Sequence, residues 1–136
     1  MTVQNRTAEV TALMPAIGLG IASSFVEART KVVTNGFDDP DDIECERAEL
    51  EVLGGRDLIC HRADTSKPND ILPTIKATEQ HFGTVDFVVK TKGVQTVEPA
   101  EDFPLERWDL TVAINTNSPF QTMRVALLED GDRTAA

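Results

Sequence analysis

The run Val85–Val89 (Val-Asp-Phe-Val-Val) most restricts what this chain can fold into. It is short, it is rich in β-branched and aromatic side chains, and the turn signal Phe82-Gly83-Thr84 stands before it. That pattern reads as a strand covered on both faces, as in a parallel sheet. In doubly wound sheets ligands sit just beyond the carboxyl ends of the strands. Here that position is Lys90-Thr91-Lys92-Gly93.

The rest of the chain supplies partners at regular intervals. Val10–Met14 reads as a first strand, preceded by a polar, loose segment 1–8. Pro15-Ala16 turns the chain into a helix over Ile17–Ala28, with Ile17, Ile21, Phe25 and Ala28 at helical spacing. Lys31–Thr34 is a second strand, closed by an Asn35-Gly36-Phe37 turn. Pro40 opens an acidic helix to Leu53, whose narrow inner face is Ile43, Arg47, Leu50 and Leu53; Gly54-Gly55 stops it. Asp57–His61 is a third strand, and Pro68 opens a helix to Phe82 with Ile71, Leu72, Ile75 and Thr78 inward. After the fourth strand a long loop leads to helices over about 105–113 and 119–128, then a frayed tail 129–136. Alternation with short connections predicts a single α/β domain over 1–136. Its strands are parallel, its crossovers right-handed and its order 3-2-1-4, with helices on both faces. The expected core includes Val10, Ala12, Leu13, Ile21, Phe25, Val32, Val33, Ile59, Ile75, Val85, Phe87, Val88 and Val89.

Charge excludes some partners. The net charge is −10 over 136 residues, which disfavours nucleic acid and anionic membranes. No stretch approaches the ~18–20 apolar residues of a membrane span, and the first residues lack a secretory pattern. Cys45 and Cys60 show no Cys-x-x-Cys spacing, so the expectation is a reduced, cytoplasmic chain. The acids between Asp38 and Glu51 read as a solvated helix face near its N-terminus. A calcium loop would need alternating ligands, a central glycine and a closing glutamate, which this stretch lacks.

From Phe82 to Asn115 the chain resembles the short-chain dehydrogenase/reductase family, and within it the bacterial D-3-hydroxybutyrate dehydrogenases. The residues that carry the resemblance are Gly93, Val94-Gln95-Thr96, Glu101-Asp102-Phe103-Pro104, Glu106-Arg107-Trp108-Asp109 and Ala113-Ile114-Asn115. It extends over about 11–128. It implies a Rossmann-like sheet truncated to about four strands, NAD as cofactor, and a secondary alcohol as substrate.

The resemblance also assigns roles. The family pattern Val-Thr-Gly, three residues, Gly-Ile-Gly, Leu-Gly-Ile-Ala is met by Ile17, Gly18, Leu19, Gly20, Ile21 and Ala22. Aligning Thr11-Ala12-Leu13 on the family's strand leaves about four residues missing, so a shortened pyrophosphate loop is expected. Gly18 and Gly20 serve equally well for close helix–sheet packing. Asn35, Gly36 and Phe37 match a turn against adenosine, and Asp64 a group that binds the adenine amino group; a plain turn and loop hydrogen bonding are the alternatives. No cation follows Thr34 in the turn, which favours NAD over NADP. Gly93 ends a motif whose other members are replaced by Lys90, Thr91 and Lys92, with the ammonium groups expected in solvent.

Gln95 matches a substrate-contacting glutamine, and Asn115 the family's catalytic asparagine. The family's serine, tyrosine and lysine have no match, and the chain contains no tyrosine. The expectations are weak or lost NAD binding, no hydride transfer by the chain alone, no metal, and self-association through an open strand edge. A non-catalytic nucleotide-binding or protein-interaction module is the alternative.

Overall fold

The computed structural model describes residues 2–11, 17–36, 39–54 and 58–134. Four strands, β1 (Thr7–Thr11), β2 (Lys31–Gly36), β3 (Leu58–Arg62) and β4 (Phe87–Lys90), form one sheet in the order β3-β2-β1-β4. Every pairing is parallel, with Glu9 of β1 opposite Val33 on one side and Val88 on the other. The expected order and orientation are therefore present. The helices are α1 (Ile17–Glu27), α2 (Pro40–Val52), α3 (Pro68–Phe82), α4 (Leu105–Val112) and α5 (Ser118–Thr134).

Several boundaries differ from the sequence reading. β1 begins at Thr7, so segment 1–8 is not a loose end. Asp86 holds it: the carboxylate accepts from the Thr7 backbone N–H at 2.9 Å and from Arg6 Nη1 at 2.7 Å. The strand was hidden because it alternates Thr7, Glu9 and Thr11 with Ala8 and Val10, and all five are buried. β2 runs on through Asn35 and Gly36, which are strand residues and not a turn. β4 is shorter than expected and starts at Phe87. Ala12 and Leu13, expected in the core, lie outside the described residues, as does Phe37.

The earlier start of β1 also removes the expected deletion. With the strand ending at Thr11 and α1 starting at Ile17, five residues, 12–16, connect them. Five is the length of the Gly-x-x-x-Gly segment in the pattern quoted above. The connection is full length, and alanines stand at both glycine positions.

The two faces of the sheet are chemically different. Val10, Val32, Ala22 and Val26 of α1, and Leu50 of α2 form an apolar core cluster, with Leu19, Ile21, Phe25, Leu58 and Val89 packed against it. α1 is rotated from the expected stripe: Gly18, Ala22 and Val26 are buried, whereas Ile17 is 69% exposed. Small residues let the helix lie close to the sheet, and the larger Ile21 and Phe25 pack at its flank. On α2, Leu50 alone of the expected inner face is fully buried; Leu53 caps the helix and is exposed. Arg47 reaches along the surface to Glu44 at 2.6 Å and to Glu51, which makes this an ion-paired, solvated face.

The opposite face is polar. Glu9, Asn35 and His61 lie beneath α3, which buries Ile71, Thr74, Ile75 and Thr78 and leaves Leu72 exposed. α3 keeps its expected limits and ends at Gly83 in the left-handed region, φ 84°, a conformation that favours glycine. The expected break near Asn115 is absent. α4 passes through a π-helical turn, Ala113–Asn117, directly into α5, which continues to Thr134 over much of the expected tail. Of the remaining expected core residues, Ile59, Val85, Phe87, Val88 and Val89 are only half-buried. The four in the β4 region are so because β4 ends the sheet.

Candidate functional site

The carboxyl ends of β1 and β4 lie side by side, with Thr11 paired to Lys90. This is where a doubly wound sheet offers a crevice. The chain leaving β4 is tied down at once. The Thr91 N–H donates to the Thr11 carbonyl at 3.2 Å, and Thr91 Oγ donates to the same oxygen at 2.7 Å. Asn115 then clamps the loop. Its Oδ1 accepts from the Val94 N–H at 2.9 Å, and its Nδ2 donates to the Val94 carbonyl at 2.8 Å. The amide thus pairs with the loop backbone as a neighbouring strand would.

The π turn presents Asn115 in this way. A π turn inserts one extra residue into the helical path and shifts which side chains face the sheet. Ile114 is buried and Asn115 is turned toward the loop. A Cβ on Gly93 would meet Asn115 Oδ1 at 3.5 Å, which is ordinary contact. Gln95, one residue beyond the clamp, is exposed. Gly93, Gln95 and Asn115 are therefore brought together, beside Lys90, Thr91 and Lys92.

The residues expected at the adenosine end are arranged differently. Asn35 is only 2% exposed, and Nδ2 points at Thr74 Oγ at 3.5 Å. Gly36 is buried with it. Asp64 caps its own loop, accepting from the Ser66 N–H at 3.1 Å and from Ser66 Oγ at 2.7 Å, with Lys67 Nζ at 3.5 Å. Burial opposes its ionisation, but the Ser66 hydroxyl and amide, with Lys67, hold the carboxyl below its ordinary value. Ile17 and Gly18 open α1, and residues 12–16 before them lie outside the described residues.

One titratable group, Lys90, is set differently from the expectation, and a second, Glu9, escaped the sequence reading. Lys90 is half-buried, and its ammonium donates to the Lys92 carbonyl at 3.3 Å rather than standing free in solvent. Burial, then the charge of Lys92, pulls its pKa down to about 8. Glu9 is 1% exposed, and burial pushes its carboxyl up to about 7 despite a contact with Thr78. The stretch Thr7-Ala8-Glu9-Val10-Thr11 has no apolar run to mark Glu9 as buried; only the pairing of β1 between β2 and β4 makes it so. Among the described residues no cluster of three histidine, cysteine or carboxylate side chains is placed to hold a metal. None of their helices is long and apolar enough to cross a membrane.

Residues 6–133 match the family described as short chain dehydrogenase. The chain is 38% identical over 122 residues to the D-beta-hydroxybutyrate dehydrogenase of Rhizobium meliloti, covering 90% of this chain and 47% of that protein. It is 39% identical over 126 residues to the enzyme of the same name from Cupriavidus necator, covering 92% and 48%. The chain thus spans about half the length of the curated relatives it matches. A solved short-chain dehydrogenase/reductase from Serratia marcescens superposes with a TM-score of 0.87 at 23% identity, over 93% of this chain and 51% of that one; that likeness speaks to the fold alone.

Proposed function

We propose a function from one premise: the chain belongs to the short-chain dehydrogenase family. It is the nucleotide-side half of a 3-hydroxybutyrate-dehydrogenase-like oxidoreductase, with weakened NAD binding and no hydride transfer of its own. The observation that carries this reading is the Asn115 clamp on Val94 beside Gly93, at the joined carboxyl ends of β1 and β4. The clamp fixes the loop just beyond the carboxyl ends of β1 and β4, the region in which doubly wound sheets bind ligands, and this supports the reading. Binding is weakened at the other end. Ala12 and Ala16 stand in the sequence where the family pattern has the glycines that let a backbone approach a pyrophosphate.

Titration calorimetry with NAD tests the reading. The unmodified chain is expected to bind more weakly than the low micromolar range, roughly −8 kcal/mol. Restoring both glycines, Ala12→Gly with Ala16→Gly, should tighten binding by roughly tenfold or more, about 1.4 kcal/mol. NADP should gain nothing. Tight binding by the unmodified chain, or no gain on restoring the glycines, would overturn the proposal.

A second reading, a non-catalytic interaction module, is favoured by one surface. β4 is an open edge, and Asp86 does not guard it because its carboxylate turns back onto Arg6 and Thr7. Beside this edge α5 exposes Phe120, Met123, Leu127 and Leu128. Such a surface invites a further strand or a second copy, while the net charge of −10 opposes association most strongly at low salt. Light scattering is expected to show dimers or larger species in moderate salt, dissociating as salt is removed. A monodisperse monomer at both salt concentrations would count against this reading.

A further inference from the structure

The surroundings of Lys90 suit a nucleophilic amine better than a charge partner. It is the last residue of β4, opposite Thr11. Among the described residues no carboxylate lies within ion-pair distance of its ammonium. Thr91 Oγ donates to the Thr11 carbonyl at 2.7 Å, and Thr11 Oγ to the Val89 carbonyl at 3.3 Å, so neither hydroxyl proton is directed at the amine nitrogen. Among the described residues Lys90 Nζ donates to the Lys92 carbonyl at 3.3 Å. The charged group acting on it is Lys92, a like charge. Glu9 shares this face of the sheet one residue pair away on the α3 side, beyond ion-pair distance and bound toward Thr78. A half-buried lysine beside a second cation loses its proton readily and becomes a nucleophile near neutral pH.

We propose that Lys90 is a carbonyl-capture site, forming an imine with a small aldehyde acid whose negative charge is held by Lys92. The Lys90 lone pair attacks the aldehyde carbon, and the carbonyl π electrons move to oxygen. The carbinolamine then loses that oxygen as water, which carries away both hydrogens of the amine, and the C=N bond forms. No oxidant or reductant enters. The proposal is independent of the dinucleotide reading, because it needs neither NAD nor the 12–16 loop.

Trapping on the full chain tests it. Glyoxylate or acetaldehyde is added with cyanoborohydride at pH 7, and labelled lysines are mapped by peptide mass spectrometry. With glyoxylate, Lys90 is expected to label roughly tenfold faster than Lys31, Lys67 or Lys76, with a rate that rises through a midpoint near the value of about 8. Acetaldehyde should show a smaller preference for Lys90. Lys92→Gln should abolish the advantage of glyoxylate over acetaldehyde at Lys90. Even labelling across the lysines, a Lys90 midpoint at the ordinary lysine value, or equal preference for both aldehydes in the unmodified chain would each overturn the proposal. The mapping on the unmodified chain stands whether or not a variant folds.

Discussion

Glu9→Gln is expected to stabilise the chain by about 3 kcal/mol at pH 8 and to change little at pH 4. Glu9 lies in the middle of β1 with strands on both sides, at 1% exposure. Thr78 Oγ lies 3.1 Å from Glu9 Oε2 and 3.0 Å from the Thr74 carbonyl. A hydroxyl has one proton, so an ionised Glu9 and the Thr74 carbonyl must compete for it. A protonated Glu9 ends the conflict by donating to Thr78 Oγ while Thr78 donates to Thr74. Glutamine reproduces that arrangement with its amide N–H and never ionises.

The pH dependence follows from the raised pKa. In the unfolded chain Glu9 titrates near 4.5, and in the folded chain near 7. Between these values the folded state holds the proton that the unfolded state has released, so stability falls as pH rises. The favourable contribution is complete below 4.5 and gone above about 7. The difference between variant and parent isolates this contribution from those of the other titrating groups and is the quantity to follow. Urea unfolding of both proteins from pH 4 to pH 8 measures it. A difference that does not grow with pH, or a destabilised Gln variant at pH 8, would show that the buried carboxylate is ionised and held by a partner.

The second large effect is on chemistry. The chain as it stands is expected to give no NAD-linked oxidation of D-3-hydroxybutyrate, a deficit of at least roughly 10⁴ in rate against a competent enzyme. Hydride leaves a secondary alcohol only as the hydroxyl proton is taken by a base poised near the working pH. The chain has no tyrosine to serve in the manner of the family it belongs to. Asn115 is no substitute, because both ends of its amide are engaged by Val94 and an amide does not accept a proton at neutral pH. His81 stands edge-on to Phe82 at the far end of α3, 4.7 Å between ring centroids. Measurement of NADH formation, using protein from a host lacking its own hydroxybutyrate dehydrogenase, decides the matter. Turnover above a mock preparation would mean that a base has been overlooked.

Much of the architecture was already legible in the sequence. Alternating strand-like and helix-like runs with short links leave few topologies open, and parallel strands with right-handed crossovers put β1 and β4 side by side. Pro68 and Gly83 mark α3 because each acts locally, through a fixed φ and a left-handed cap. Gly93 and Asn115 were both named by the resemblance to the family pattern, and the fold brings the two into contact.

Local signals failed where long-range contacts carry the free energy. Thr7–Thr11 does not look like a buried strand, yet two neighbouring ladders satisfy its backbone and Asp86 anchors its start. Moving that start by three residues restored the full length of the connection to α1 and converted an apparent deletion into two glycine-to-alanine replacements. The facing of α1 was set by how closely Gly18, Ala22 and Val26 let it approach the sheet, which periodicity of the large residues alone misjudged. The break expected at Asn115 became a π turn because Val94, 21 residues away, offers the amide two backbone partners. The order of the elements therefore resided in the chain's own pattern. Strand ends, the buried charge on Glu9 and the depressed amine of Lys90 depended on which distant groups came into contact, and only the tertiary structure decides that.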